Sequence, residues 1–590
     1  MEDKIIIDKK ISKIDIISTL IISNKNILIL GIIPIILLLI DNSWIFPNPF
    51  SGYADDWLYT GYFLNFQSFH SVFGNLYFVS RLPWIIPGYL IYNLFPVSIS
   101  VYVLHLFFYY CSIISLYLIL KNTVSEHAGF ISALLFSFYP FFMREIGANY
   151  VFGAVIAYLL LAFLMITKSY NSKNQFLLLF FAGIFSTLLL FTNLFTILLL
   201  PIIGLYYIIV YSNCLRKEFI PSGVALALGA LFVFDLMCIF NQILTGDFDF
   251  YSPQIRASFY YTTWTNEWWH PWSEWILNAP WLILPAIGVV ISIIYAIFII
   301  HSSEKRNIVH LFFILSYLIL FFIFLALELY GKPVLEIVYY ASILIPLLFL
   351  ALGPFFHRIF EKFTNKNGVY FSYSCIGILL FGYILETKSV NIAYFINNII
   401  LVIITFFIIA ILTLFYFFNR VISQKKFMAL GIFVICLFSI LYIGNFSVVF
   451  PKGFDTYENG YYAIMDSALQ IKETFPHSDV KFWYNTSESD KGVSYGNFFT
   501  LANSVYLWGW SKYSSEFPLL PFSDGANNVS FTNHYQNIAV LSTDDNAFEL
   551  VNLSFSNYDK KPIFISRHVI HHNKIRYNLI LLKLPEKKIS

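Results

Sequence analysis

Run after run of this chain is apolar for longer than the core of a globular protein requires. The hydrocarbon of a bilayer asks for about 17–25 mostly apolar residues per crossing helix. Such runs lie near 26–42, 99–120, 127–143, 149–167, 175–191, 194–211, 221–243, 276–300, 308–328, 334–355, 369–385, 392–418 and 427–449. With no water to bond inside a membrane, each must close its backbone hydrogen bonds within itself, as a helix. The composition leaves little else to build from: 58% of the residues are hydrophobic, 12% are charged, and the mean hydropathy is +0.70. The expectation is an α-helical polytopic membrane protein of about 13 transmembrane helices. A net charge of +2 offers nothing to a nucleic acid. Leu82–Phe95 is apolar too, but it is short and cut by Pro83, Pro87 and Gly88, which predicts a re-entrant or interfacial helix. The first run has no small-residue cleavage site after Ile40 and leads into Trp44 and Pro47, as an anchor does and a removed signal peptide does not.

Lysine and arginine retained beside the spans set orientation. Of the 36 in the chain, 18 fall in the N-terminal segment and every second loop, 5 in the alternate loops, and 13 in the tail after residue 450. The asymmetry predicts a cytoplasmic segment 1–25 and a module 26–449 in the cytoplasmic membrane, with a first outer loop at 43–98 and a long outer loop at 244–275. An odd number of spans then puts the tail, 450–590, outside as well. The tail carries a helix-like stretch, Tyr457–Thr474. It also has runs with strand character at Val480–Tyr484, Ile538–Ser542, Ile563–Ile565 and Tyr577–Leu584, so a small extracytoplasmic α/β domain is expected. The five cysteines, Cys111, Cys214, Cys238, Cys375 and Cys436, all precede the tail, which leaves it no disulfide framework.

Chemistry concentrates in the first outer loop, at Tyr53-Ala54-Asp55-Asp56-Trp57-Leu58-Tyr59. Two adjacent carboxylates at a membrane surface suit two roles. In a helix they point about 100° apart, so one can take a proton from an acceptor hydroxyl while the other holds a cation or an arginine. Asp56 is thereby also the candidate ligand of a divalent cation. The bland alternative is an N-cap, since aspartate satisfies the free N–H groups of a helix start. Trp57, Tyr59, Tyr62 and Phe63 suit an interfacial helix that holds the pair at headgroup level.

Arginine is the natural partner of a phosphate, because its planar fork meets two oxygens at once. Before the tail the outer loops offer three: Arg81 in Ser80-Arg81-Leu82-Pro83, Arg144 beside Glu145, and Arg256 in the longest loop. Each could equally be an interfacial arginine touching lipid phosphate. The longest loop also holds Asp247, Asp249, Trp264, Glu267, Trp268, Trp269, His270 and Trp272. Its aromatics serve interfacial anchoring or stacking on sugar rings. Asp235 falls inside the seventh run, and an acid at such depth is a functional candidate by default. Trp57, Tyr59, Asp235, Asp247 and Asp249 are the residues expected to line a substrate cavity. Glu328 is a weaker case, and His70 and His270 read as interfacial hydrogen-bonders.

The cytoplasmic N-terminus, the early Asp55-Asp56 pair, the Arg81-Leu82-Pro83 segment before the second span, the many spans and the outer tail together resemble the GT-C superfamily of membrane glycosyltransferases. Within it the layout is similar to the polyprenyl-phosphate sugar transferases: the protein O-mannosyltransferases and the aminoarabinose transferases of lipid A. The chain departs from the O-mannosyltransferases in carrying Asp-Asp where they carry Asp-Glu. It also lacks the Trp-Trp-Asp sequence of oligosaccharyltransferase catalytic subunits, which Glu267-Trp268-Trp269-His270 does not supply. The resemblance implies inverting transfer of a sugar from a polyprenyl-phosphate donor to a lipid, glycan or protein acceptor at the outer face. Asp55 would be the general base, Asp56 its helper, and Arg81 the contact to lipid phosphate. Arg144 and Arg256 are added on charge and loop position. Two other classes stay open. A flippase or transporter of lipid-linked sugars would place charges and broken helices at midplane depth. An O-antigen polymerase or ligase type of enzyme would use arginines of the 244–275 loop.

Overall fold

The structure is a computed structural model. It describes residues 25–41, 44–45, 55–64, 66–74, 76–170, 172–211, 216–263, 279–301, 308–332, 334–360 and 365–388 of the apolar part. In the tail it describes 466–467, 470–471, 473–475, 480–485, 537–542, 546, 548–549, 563–572 and 575–583. The expected spans 392–418 and 427–449, together with Cys214, Cys436, His270 and the tryptophans of the longest loop, lie outside these residues.

Among the described residues the apolar part is built of helices and the short turns between them. In chain order its helices are α1 (Lys25–Ile40), α2 (Asp55–Leu64), α3 (Phe66–Phe73), α4 (Leu82–Leu94), α5 (Val97–Thr123), α6 (Glu126–Ser137), α7 (Pro140–Gly147), α8 (Phe152–Ser169), α9 (Gln175–Thr192), α10 (Leu200–Tyr211), α11 (Arg216–Thr245), α12 (Ser252–Thr263), α13 (Ile283–His301), α14 (Ile308–Leu329), α15 (Val338–Ala341), α16 (Leu344–Phe360) and α17 (Asn365–Lys388). Eight stretches among the described residues are long and apolar enough to cross a membrane. They begin at Ile99, Phe152, Gln175, Leu194, Phe219, Ile283, Ile308 and Tyr339, while α1 and Phe371–Ile384 are apolar but shorter. This is the layout of an integral membrane protein.

Where the helices depart from the hydropathy runs, local chemistry gives the reason. The run 127–143 is not one span but α6 followed by α7. Pro140 pushes Tyr139 into an extended conformation (φ −70°, ψ 118°), which ends one helix and opens the next. The run 276–300 begins as a 3₁₀ turn, Pro280–Leu282, and becomes α-helix only at Ile283. The run 334–355 starts as a loop because Glu328 accepts hydrogen bonds from the backbone amides of Val334 and Leu335. Gly331, at φ +83°, makes the turn between them, a conformation that costs residues with a side chain dearly. The expected short helix at Leu82–Phe95 is α4, 13 residues with Pro87 inside it.

Helix packing follows the small residues. A Cβ placed on Gly183 of α9 would lie 1.9 Å from the Leu226 carbonyl oxygen of α11, and one on Gly229 of α11 would lie 1.9 Å from that of Phe180 on α9. The two backbones therefore cross in direct contact, as small residues permit in membranes. The far face of α11 is exposed along Val224, Leu228, Leu231, Phe232, Leu236, Ile239 and Ile243.

The tail contains a four-stranded sheet, β1 (Val480–Asn485), β2 (Asn537–Ser542), β3 (Ile563–His572) and β4 (Ile575–Lys583), in the order β1-β2-β4-β3. β1 and β2 are parallel, and the other pairs are antiparallel. β2 is buried along its whole length, which explains its unbroken Asn-Ile-Ala-Val-Leu-Ser run in place of alternation. β3 extends well beyond the expected Ile563–Ile565 by pairing with β4, with an irregularity between Phe564 and Ser566. The described residues among 466–474 are helical, where the helix-like stretch was expected.

Candidate active site

Asp55 and Asp56 are the first two residues of α2. Acidic residues at that end meet the positive pole of the helix. Their side chains, and those of Trp57 and Leu58, lie outside the described residues. One turn further on the helix is firmly held: Tyr59, Thr60, Tyr62 and Phe63 are all fully buried. Phe63 packs edge-on to Trp84 at 5.5 Å between ring centroids and against Tyr92 at 5.2 Å, which seats α2 on α4. Contact is close enough that a Cβ on Gly88 would fall 2.3 Å from the Phe63 ring. Ten residues would be a marginal helix in isolation; here aromatic packing fixes it.

Arg81 stands between a 3₁₀ turn, Tyr77–Ser80, and α4. Its carbonyl accepts from the backbone amides of Trp84 and Ile85, and Pro83 sits in the first turn of α4, where a missing N–H costs nothing. Tyr158 donates to the Pro83 carbonyl at 2.7 Å and ties this start to α8. The side chain is 6% exposed. Its Nη1 donates to the Tyr59 hydroxyl at 2.6 Å. The guanidinium carbon lies 4.7 Å from the Tyr77 ring centroid, 5.7 Å from that of Tyr150 and 6.0 Å from that of Tyr59, all within cation–π reach. Burial opposes the charge, and the hydroxyls of Tyr59, Tyr150 and Tyr77 more than offset it, so the guanidinium remains protonated. Its Nε has no hydrogen-bond partner among the described residues. Among the described side chains, which do not include those of Asp55 and Asp56, no carboxylate pairs with Arg81. The result is a buried cation inside an aromatic cage, with donor capacity to spare.

The other two arginines are placed differently. Arg144 is half-buried on α7 and forms no ion pair among the described residues, while its neighbour Glu145 is buried. Burial raises the Glu145 carboxyl to about 7, an effect that Arg144 partly offsets. Arg256 is exposed on α12. That helix packs beside the turn that precedes Arg81, through the Gln254 amide donating to Ser80 Oγ at 3.2 Å.

Asp247 and Asp249 of the longest loop bond to the backbone beside them. Asp247 accepts from the Asp249 amide, and Asp249 from those of Tyr251 and Ser252, at the start of α12. Burial slightly opposes the Asp249 charge, but these bonds and Arg256 hold its carboxyl below the usual range. Asp235 is exposed on the far face of α11, among Leu231, Phe232, Leu236 and Ile239. Glu328 serves as the backbone anchor described above. His70 stacks on Phe66 at 6.0 Å, and burial lowers its pKa, partly countered by Asp247. Among the described residues no group of three or more His, Cys, Asp or Glu could hold a metal ion.

Two members of the cage, Tyr77 and Tyr150, were not among the expected site residues. With 41 tyrosines in the chain, identity alone could not single them out. The only sequence signal was the place of Tyr77 four residues before Arg81.

No family model matches the chain, and no curated protein matches it. Among solved structures, ArnT from Cupriavidus metallidurans bound to undecaprenyl phosphate aligns at 14% identity, covering 84% of this chain and 87% of that one, with a TM-score of 0.46. The apo state of the same protein gives 0.44 at the same identity and coverage. The archaeal oligosaccharyltransferase AglB from Archaeoglobus fulgidus, in complex with an inhibitory peptide and a dolichol-phosphate, aligns at 11% identity over 78% of this chain and 61% of that one, with a TM-score of 0.36. Likeness of this degree does not transfer an activity.

Proposed function

We propose that this chain is an integral-membrane glycosyltransferase of the GT-C kind, which moves a sugar from a polyprenyl-phosphate donor to an acceptor on the face that the lysine and arginine count places outside. The observation that carries the reading is Arg81. A buried guanidinium with no carboxylate partner among the described side chains is costly to keep, and an arriving phosphate would supply a compensating charge. Nε offers an unused donor for one of its oxygens, and the Tyr59 hydroxyl already orients the fork.

The reaction follows from charge placement. The acceptor hydroxyl oxygen attacks the anomeric carbon as the bond from that carbon to the phosphate oxygen breaks. The leaving electron pair goes to the polyprenyl phosphate, whose added charge Arg81 stabilises. The proton of the acceptor goes to the Asp55 carboxylate. Attack from the face opposite the leaving phosphate inverts the anomeric centre. Asp56 is assigned to holding a cation, a divalent metal ion or a neighbouring arginine.

Transfer from a radiolabelled polyprenyl-phosphate sugar tests this in the purified, membrane-inserted protein. Asp55→Asn keeps the shape of the side chain but cannot take the proton, so turnover should fall by about 10²–10⁴. If the pair only caps α2, asparagine serves nearly as well, and wild-type turnover in that variant sinks the catalytic assignment.

A further inference from the structure

The dipeptide between α7 and α8, Asn149-Tyr150, touches both halves of the proposed chemistry. Asn149 is fully buried. Its Nδ2 donates to Thr60 Oγ1 of α2 at 2.8 Å and to the Tyr92 hydroxyl of α4 at 3.3 Å, and its Oδ1 lies 2.9 Å from His105 Nε2 of α5. Both amide hydrogens go to hydroxyls, so Oδ1 must accept. The tautomer of His105 with its proton on Nε2 completes this network. Thr60, Tyr92 and His105 are buried as well. The next residue, Tyr150, packs its ring 5.7 Å from the Arg81 guanidinium and 5.8 Å from the Tyr59 ring. Its amide closes a tight turn onto the Ala148 carbonyl at 2.7 Å.

We propose that Asn149 is a positioning residue: it fixes where α2, which begins with Asp55 and Asp56, stands relative to the Arg81 cage. The inference rests on the reading of those groups as base and phosphate site. Aromatic burial holds α2 in place, but burial is non-directional, so it sets the height of the helix less sharply than a hydrogen bond does. A directed bond to Thr60, one turn past the acidic pair, supplies the missing restraint. Because Asn149 and Tyr150 are adjacent in the chain, the same short segment sets the height of α2 and one wall of the cage. A shift of a single helical residue is about 1.5 Å, and misplacement by about 1 Å can cost 10²-fold in rate.

Three variants of the full chain, in lipid nanodiscs, decide it. Asn149→Leu removes all three hydrogen bonds at similar volume. Thr60→Val removes the bond from Asn149 to α2 at nearly unchanged side-chain shape. Asn149→Asp keeps the acceptor for His105 and lets the two hydroxyls turn round to donate. Three quantities are read: affinity for undecaprenyl phosphate alone, turnover with the labelled donor, and amide hydrogen exchange over residues 55–64. The expected result for Asn149→Leu and Thr60→Val is turnover lowered about 10–10²-fold, undecaprenyl phosphate affinity within about twofold of wild type, and faster exchange over 55–64. Asn149→Asp should recover most of the turnover. Unchanged exchange over 55–64 in Thr60→Val overturns the inference whether or not a donor sugar is in hand. So does a fall in undecaprenyl phosphate affinity that matches the fall in turnover, since Asn149 would then only shape the cage. Failure of the underlying reading looks different: Arg81→Ala would bind undecaprenyl phosphate as well as wild type does.

Discussion

Glu145 should make the protein less stable as the pH rises through neutrality, and Glu145→Gln should remove most of that loss. The carboxyl is 3% exposed on α7. Its surroundings are tight: a Cβ on Gly147 would strike the Trp44 carbonyl, and one on Gly153 would lie 2.8 Å from the carbonyl oxygen of Glu145 itself. Burial raises its pKa from 4.5 to about 7 against the opposing pull of Arg144. Between those values the folded protein binds more protons than the unfolded chain. The stabilisation is therefore complete below about pH 4.5 and is lost as the pH climbs through about 7. At about 1.4 kcal/mol per pKa unit the full swing is about 3 kcal/mol. Glutamine holds the shape without titrating, so it should match wild type at pH 5 and outlast it at pH 8. Membrane proteins often unfold irreversibly, so the fitting assay is the half-life of folded protein at a fixed elevated temperature in one detergent. Wild type should lose half-life from pH 5 to pH 8, and the Gln variant should lose much less. Identical pH profiles for the two proteins would show that the carboxyl reaches solvent, and the burial argument would fail.

Gly88→Ala should cost about 1–3 kcal/mol, the usual penalty for overpacking, because the new methyl meets the fully buried Phe63 ring at 2.3 Å; thermal half-life measures it, and an unperturbed variant would mean that α2 and α4 are not in contact. Arg81→Lys should restore only part of the undecaprenyl phosphate affinity lost in Arg81→Ala, since an ammonium keeps the charge but not the fork; equal affinity in both variants would remove Arg81 from the phosphate site. In a cysteine-free background, a cysteine at Ser511 should react with an impermeant thiol reagent on intact spheroplasts while one at Asn365 should not. The reverse pattern would put Asp55 in the cytoplasm and end the outer-face mechanism.

How far the sequence alone could be read differs from element to element, for physical reasons. Hydropathy measures the transfer of side chains into hydrocarbon, so it located α5, α8, α9, α11 and α14 within a few residues. It is blind to the backbone. Pro140 splits the third run by acting on the conformation of Tyr139, and Glu328 draws the amides of Val334 and Leu335 out of the next helix. Strands of the tail were legible because β-branched and aromatic residues cluster in them, but β3 reached its full length only through pairing with β4, which no local pattern encodes. The site divides in the same way. Arg81 stood out because the outer loops before the tail hold only three arginines, the natural partners of a phosphate, and this one opens the Arg81-Leu82-Pro83 segment. Its cage did not, because Tyr59, Tyr77 and Tyr150 meet only after α2, the 3₁₀ turn and the α7–α8 junction have packed together. Asn149 was less visible still: its weight comes from three partners on three helices. A charge announces its cost in the sequence, whereas the groups that satisfy it or aim it are chosen by distance. In a chain this rich in aromatics, those are the residues that only the folded arrangement can single out.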